Sequence, residues 1–459
     1  MNTAFSSLAI STNMLKTLDS LDYQHMTPIQ AQTLPDILKR RDILAQAMTG
    51  SGKTAAFGIG LLSKLNTNQQ FVQSLVLCPT RELAEQVSQE LRRLARLIPN
   101  ARIMTLCGGT PLRTQAVSLE NGAHIVVGTP GRILDHLGRG ILKLSNLSTL
   151  VLDEADRMLD MGFQEELNKI ISTLPTKRQT LLFSATYPDV IQHISQKYLD
   201  NPVEVRIDSI HNESTIKQEF YQVNVSERQN ALLGLLCHYK PESSIIFCNT
   251  KMKCQEVERF LNASGFHALS LHGDLDQRQR NKILIQFANK SCAILVATDL
   301  AARGLDIDSL AAVINYELAD SAETHMHRIG RTGRAGHSGL ALSLFQPSEV
   351  RKREAIEAHQ GAPIALGSVE SLNIDPDYSQ QAKMKTLCIW GGKKQKLRPG
   401  DIVGALTGSK EITANQIGKI QVSDTSSYVA IENKLASKAR QQLENGKIKN
   451  RKFKVQIMA

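Results

Sequence analysis

The sequence predicts an α/β protein: two parallel-sheet domains followed by a small α+β domain. Three observations carry this. Short, wholly apolar runs alternate with segments of helical period, as in parallel sheets covered on both faces by helices. The series stops at a polar stretch and then starts again. Finally, the segment from Asp377 to Ala459 breaks the pattern and holds 16 Lys+Arg against 6 Asp+Glu, which accounts for the whole net charge of +10.

In the first series the strands read DILAQ, SLVLC, RIMTL, HIVVG, LVLDEAD and TLLFSAT. Between them lie stretches such as ELAEQVSQELRRLARLI, whose apolar positions recur at three and four. DSIHNESTIK, Asp208 to Lys217, is polar and reads as a linker. SSIIFCN, ALSLHG, AILVATD and AAVINYE then build a second domain. After Phe345 the pattern turns helical and charged in SEVRKREAIEAH, then loosens. The expected divisions are 1–207, 218–350, a linker or helical extension over 351–382, and a last domain over 383–459.

In that last domain MKTLCIW is a strand with Leu387 and Ile389 on one face, and RPGDIVGALT is a short helix. IGKIQV and SYVAI are strands, and NKLASKARQQL is a helix with Leu435, Ala439 and Leu443 inward. RKFKVQIM closes it with Phe453, Val455 and Ile457 inward. The order βαββαβ is the ferredoxin-like arrangement that RNA-recognition motifs use.

An apolar fraction of 42% with 21% charged residues is that of a soluble globular protein. No apolar run reaches the roughly 18 residues a membrane span needs. MNTAFSSLAI has no basic leader before an apolar block, so a cytoplasmic location is expected. The seven cysteines form no CxxC pair and most lie in apolar runs, which predicts reduced, buried thiols. Outside the tail the chain holds 38 residues of each sign, so the charge predicts a polyanion-binding module attached to a neutral machine.

AMTGSGKT, Ala47 to Thr54, lies between DILAQ and the helical AAFGIGLLSKL. Strand, glycine loop, Lys-Thr and helix together form the context of a phosphate-binding loop. Its backbone N–H groups, at Thr49, Gly50, Ser51 and Gly52, cradle phosphates; Lys53 neutralises β/γ charge and Thr54 ligates magnesium. Downstream, TLVLDEADRMLD places Asp153 and Glu154 at the end of a buried strand, where α/β ligands collect. Asp153 suits a water-mediated Mg²⁺ ligand, and Glu154 suits the base that orients an attacking water. Phosphoryl transfer also needs positive charge on the γ-phosphate, and HRIGRTGR, His327 to Arg334, offers arginines from the second domain. Hydrolysis would then require domain closure.

Together these residues resemble the DEAD-box RNA helicases over about residues 1–350, which implies two RecA-like domains that use ATP and Mg²⁺ and bind RNA. The resemblance implies that Gln30 of YQHMTPIQ reads adenine while Phe5 and Tyr23 give aromatic contacts, although Asp22 stands where Gly is usual and Met26 where Pro is common. It implies nucleic-acid backbone contacts from Arg81 of PTRELA, from Gly109, from Thr129 and Arg132 of TPGR, and from Arg280 and Thr298. Ser184 and Thr186 of SAT, with His327, would couple hydrolysis to strand separation. Asp306 would hold the ribose, with Arg331 and Arg334 as arginine fingers. Motifs rich in Thr, Gly and Arg grip phosphates and sugars without reading bases. The expected mechanism is ATP-dependent closure on a short RNA strand that is bent as it is gripped, with release after hydrolysis, which implies local, non-processive unwinding.

The tail is similar to the C-terminal domain of the DbpA branch of that family. This implies binding to large-subunit (23S) ribosomal RNA and pre-ribosomal particles and a role in assembling that subunit, by a chain expected to be monomeric. Its outward sheet face carries Thr386, Cys388, Trp390, Lys419, Gln421, Tyr428, Lys454 and Gln456. With two aromatics there, affinity should rest on Lys393, Lys394, Lys396, Arg398, Lys447, Lys449, Arg451 and Lys452. Trp390 is either a stacking platform or a strand-end packing residue. An ATP-gated RNA clamp and a DNA helicase are the competing classes; duplex separation beside ATP turnover, and ATPase stimulation by RNA against single-stranded DNA, separate them.

Overall fold

The computed structural model describes residues 3–47, 50–186, 189–207, 216–302, 310–333, 338–375 and 378–458. These fall into two compact units, divided after residue 210.

The first unit is built on seven strands: β1 (Ile43–Gln46), β2 (Ser74–Leu77), β3 (Ile103–Leu106), β4 (Ile125–Gly128), β5 (Thr149–Asp153), β6 (Gln179–Ser184) and β7 (Val203–Arg206). They pair in parallel in the order β3-β4-β2-β5-β6-β1-β7. The central strands β2, β4, β5 and β6 are buried along their whole length, so both faces must be covered. One face packs Phe57, Val87, Leu91 and Leu94; the other packs Ile133, Met158, Leu167 and Ile170. Helix Arg81–Leu94 shows how local sequence sets an element. Thr80 Oγ accepts the Leu83 N–H at 3.2 Å, Glu82 sits in the first turn, and Arg92 and Arg93 sit in the last.

The second unit holds two sheets. β8 (Ile216–Gln222), β9 (Ser244–Phe247), β10 (Ala268–Leu271), β11 (Ile294–Ala297), β12 (Ala312–Asn315), β13 (Gly339–Phe345) and β14 (Ala365–Gly367) pair in parallel in the order β10-β11-β9-β12-β13-β8-β14. β15 (Met384–Ile389), β16 (Ile417–Val422), β17 (Ser427–Glu432) and β18 (Val455–Ile457) form an antiparallel sheet in the order β16-β17-β15-β18, backed by helices Pro399–Thr407 and Ala436–Asn445.

Three details differ from the sequence expectation. β8 begins at Ile216, so Ile216 and Lys217 are strand and not linker. The stretch expected to be a linker or helical extension over 351–382 does begin with a helix, Val350–Gln360, but it then joins the second parallel-sheet domain. Ala365–Gly367 adds an edge strand beside β8, and Leu372 and Tyr378 pack on that domain's core. The third concerns Thr386, expected on the open face of the last sheet. It is 0% exposed, because its hydroxyl is hydrogen-bonded to Ser291 Oγ at 2.6 Å and accepts Asn289 Nδ2 at 3.2 Å. Nearby, Gln380 Nε2 donates to Pro241 O, and Lys383 pairs with Glu242. The small domain therefore docks part of its sheet face on the second parallel-sheet domain. A local alternation of side chains carries no sign of such a neighbour.

Candidate nucleotide and RNA sites

The phosphate-binding loop leaves the C-terminal end of β1 and turns into helix Lys53–Ser63. Gly50 (φ 85°) and Gly52 (φ 94°) adopt the left-handed backbone that makes this turn. A Cβ on Gly52 would lie 2.5 Å from Gln30 Nε2, so the loop also needs glycine for space. Ala47, where a glycine is usual, is buried; its N–H donates to Ser184 O at 3.0 Å, and its carbonyl accepts Lys53 Nζ at 2.6 Å. Thr54 lies in the first helical turn, and Ser51 Oγ is buried without a hydrogen-bond partner. Thr49 lies outside the described residues.

Asp153 and Glu154 close β5, both almost fully buried. Burial pushes the Asp153 carboxyl up to about 7 against the pull of the Lys53 ammonium, with Glu154 adding to the rise. Asp153 Oδ1 has no hydrogen-bond partner. Glu154 holds a left-handed conformation (φ 53°, ψ 52°), and its Oε2 pairs with Arg157 Nη1 at 2.9 Å. Asp156, to which the sequence reading gave no role, connects this turn to SAT. Its Oδ2 accepts the N–H groups of Ala185 (3.1 Å) and Thr186 (2.9 Å) and the Thr186 hydroxyl (3.0 Å). Ser184 Oγ donates to Thr186 O at 2.6 Å.

Of the expected adenine-reading residues, Gln30 joins the phosphate loop, and Phe5 and Tyr23 meet each other. Gln30 is buried; its Oε1 accepts the Thr27 N–H at 2.9 Å and its Nε2 donates to Gly52 O at 3.1 Å, joining the cap of helix Pro28–Leu38 to the phosphate loop. Phe5 meets Tyr23 edge-on, with ring centroids 6.4 Å apart. Burial, and then the hydrogen bond to Glu90, push the Tyr23 phenol up to about 12.

The first-unit residues expected on nucleic acid gather beyond the ends of β2, β3 and β4. Arg81 opens its helix and lies against Gly108, next to Gly109 (φ 87°). Thr129 caps helix Pro130–Gly138, and Arg132 Nη1 donates to Thr110 O at 2.8 Å and Gln115 Oε1 at 2.7 Å. In the second unit Arg280 Nη2 donates to Ala301 O at 2.6 Å, three residues past Thr298, which brings that pair together too.

Arginines of HRIGRTGR divide. Arg328 is a buried scaffold: it pairs with Asp299 at 2.7 Å and donates to Asn249 Oδ1 (2.8 Å), Asn315 Oδ1 (3.2 Å) and Glu317 O (2.7 Å). Arg331 is buried and His327 half-buried on the last turn of helix Ala322–Ile329. Arg334 and Asp306 lie outside the described residues. In the last domain Lys393, Lys394, Lys396 and Arg398 are exposed. Lys449 Nζ donates to Lys396 O at 3.0 Å, drawing the second basic segment, Lys447 to Lys452, against the first. Trp390, at the end of β15, is 57% exposed, so its ring is not packed away. None of the described helices is long and apolar enough to cross a membrane.

A glycine loop between β1 and a helix, acidic residues at the end of β5, and a second parallel sheet of the same strand order define a P-loop ATPase of helicase architecture. Residues 27–194 match the DEAD/DEAH box helicase family, residues 227–336 the helicase conserved C-terminal domain, and residues 386–457 the DbpA RNA binding domain. The chain belongs to the DEAD-box ATP-dependent RNA helicases, in the DbpA branch. It is 50% identical to ATP-dependent RNA helicase DbpA of Escherichia coli over 99% of this chain and 100% of that one. It is 42% identical to DEAD-box ATP-dependent RNA helicase CshA of Geobacillus kaustophilus over 77% of this chain and 76% of that one. Among solved structures, S. cerevisiae Dbp5 bound to RNA and ADP BeF3 superposes with a TM-score of 0.73 at 29% identity, covering 80% of this chain and 96% of that one. This protein is thus an ATP-dependent RNA helicase with RNA as its partner.

Proposed function

We propose that the chain unwinds RNA locally and non-processively, with ATP and Mg²⁺ at the phosphate loop. Its tail would direct it to large-subunit (23S) ribosomal RNA during assembly of that subunit in the cytoplasm, as a monomer. The observation that carries the nucleotide reading is a buried Asp153 oxygen without a hydrogen-bond partner in the same site as Lys53, whose ammonium bonds back to its own loop at Ala47 O. Among the described residues no group of three or more His, Cys, Asp or Glu side chains could hold a metal alone, which suits an ion that relies on nucleotide phosphates. Thr54 and Asp153 fit such an ion, which when bound would neutralise phosphate charge. Gly50 to Gly52 and the helix N-terminus receive the phosphates, Lys53 balances them, and Glu154 orients the attacking water. The motif pattern assigns Arg331 and Arg334 to the transition-state charge and Asp306 to the ribose. Glu154→Gln should keep nucleotide affinity and lower RNA-stimulated ATP turnover by about 100-fold or more; near-normal turnover would reject the base assignment.

For the RNA-targeting reading, support comes from the joined basic loops, the exposed Trp390 ring, and the match of residues 386–457 to the DbpA RNA binding domain. With Thr386 covered, recognition leans on phosphate and shape at the loop end of the domain rather than on the whole sheet. Deleting the chain after Gln380 should leave RNA-stimulated ATPase in place and remove RNA preference. A truncated chain that still favours ribosomal RNA over arbitrary RNA of equal length would overturn this.

A further inference from the structure

Arg157 follows the DEAD residues directly and has no task in the motif reading above. Its side chain and that of Glu154 are each 3% exposed, and they meet at 2.9 Å across the first turn of helix Ala155–Asp160. The same residue's main-chain N–H donates to Asp156 Oδ1 at 3.0 Å, while Asp156 Oδ2 holds Ala185 and Thr186. Residue 157 thus touches two carboxylates through two different groups. From these contacts we infer that Arg157 is a positioning residue for the water-orienting base: its guanidinium fixes the Glu154 carboxylate, and its main chain ties that setting to Asp156 and SAT. The inference rests on the reading of Glu154 as the base.

A carboxylate in a buried turn has little water to orient it, and a guanidinium offers donors in a fixed fork that match a carboxylate plane. Glu154 is held at positive φ inside a buried turn, a conformation that is unfavourable for a residue with a Cβ and leaves its side chain little freedom to reorient. A base displaced by a fraction of an ångström loses much of its effect, so fixing one of its oxygens acts on the chemical step and not on nucleotide affinity.

The test uses the full chain with Arg157→Gln, Arg157→Lys, Glu154→Gln and the double variant Glu154→Gln/Arg157→Gln. Each is measured for melting temperature, affinity for a fluorescent ATP analogue, and RNA-stimulated turnover. Arg157→Gln should lower kcat by about 10- to 100-fold with affinity changed less than about threefold, and Arg157→Lys should recover a large part of it. In the Glu154→Gln background, Arg157→Gln should cost nothing further, because the group it acts through is already gone. A kcat for Arg157→Gln within about twofold of the parent would overturn the inference, as would an equal further loss in the double variant. If Arg157→Gln melts too low to assay, the double variant, which removes both buried charges together, and Arg157→Lys carry the comparison. Normal turnover by Glu154→Gln alone would instead remove the base reading itself, and this inference with it.

Discussion

The two parallel-sheet domains share one strand order and do different work at the same place. β1 and β8 occupy the same position in their sheets, as do β5 and β12. After β1 the chain makes a glycine loop and enters its helix with Lys53. After β8 it passes Val223 to Glu227 and enters helix Arg228–Tyr239 with an arginine that pairs with Glu349 at 2.8 Å and lies over the Tyr316 ring. β5 ends in Asp153, whose buried Oδ1 has no hydrogen-bond partner; β12 ends in Asn315, whose side chain accepts from Arg328 and donates to Ser343. At these two matching strand ends, β5 leaves a buried carboxylate oxygen without a hydrogen-bond partner, and β12 engages its polar side chain within its own domain. The fold therefore does not specify the site; the residues placed at the strand ends do.

The largest expected effect breaks this comparison at the helix starts. Lys53→Ala should lower ATP turnover by about 100- to 1000-fold, whereas Arg228→Ala should lower the melting temperature and leave nucleotide affinity unchanged. ATP titration and thermal melting of both variants read the difference. A smaller effect separates the two helices themselves. A Cβ on Gly60 would collide with the Ile37 side chain, while one on Gly234 would sit 3.0 Å from Leu372 Cβ. Gly60→Ala should cost about 1–3 kcal/mol in denaturant unfolding, and Gly234→Ala less than about 1 kcal/mol. The smallest concerns what the second domain carries and the first does not. Thr386→Val removes the hydroxyl shared with Asn289 and Ser291 and should weaken docking of the last domain by about 1–2 kcal/mol, seen as faster proteolysis near residues 376–382.

Central strands were legible in the sequence because burial on both faces writes itself as continuous apolar runs: SLVL, IVVG, SIIF, ILVA and AVIN are each buried end to end. The edge strands IMTL and ALSL are legible too, but the strands at the opposite side of each sheet are not. VEVR is short and half-polar, IKQEFYQ is largely polar and continues a polar stretch, and ALG has three residues. Much of the nucleotide site was legible because a phosphate loop needs a fixed spacing of Gly, Lys and Thr. Asp156 and Arg328 are not given their contacts by the sequence, since Ala185, Thr186, Asn249 and Asp299 lie at distances that no local period encodes; the Arg157–Glu154 pair is at helical spacing, but a charge pair three apart is usually solvated, and burial of this one shows only in the fold. Thr386 shows the same limit at the scale of domains: its neighbours are Asn289 and Ser291, and a polar residue on an outward face looks solvated until another domain covers it.

The hydrogen bond from Lys449 to the carbonyl of Lys396 separates two properties of the tail that its composition merges. Positive charge belongs to the amino acids and survives heat or urea, so an unfolded tail still attracts any polyanion in low salt. The arrangement of that charge belongs to the fold, because only a folded domain brings residues 393–398 beside 447–452. Melting the last domain should therefore leave a chain that clings to nucleic acid in general and no longer discriminates among its targets.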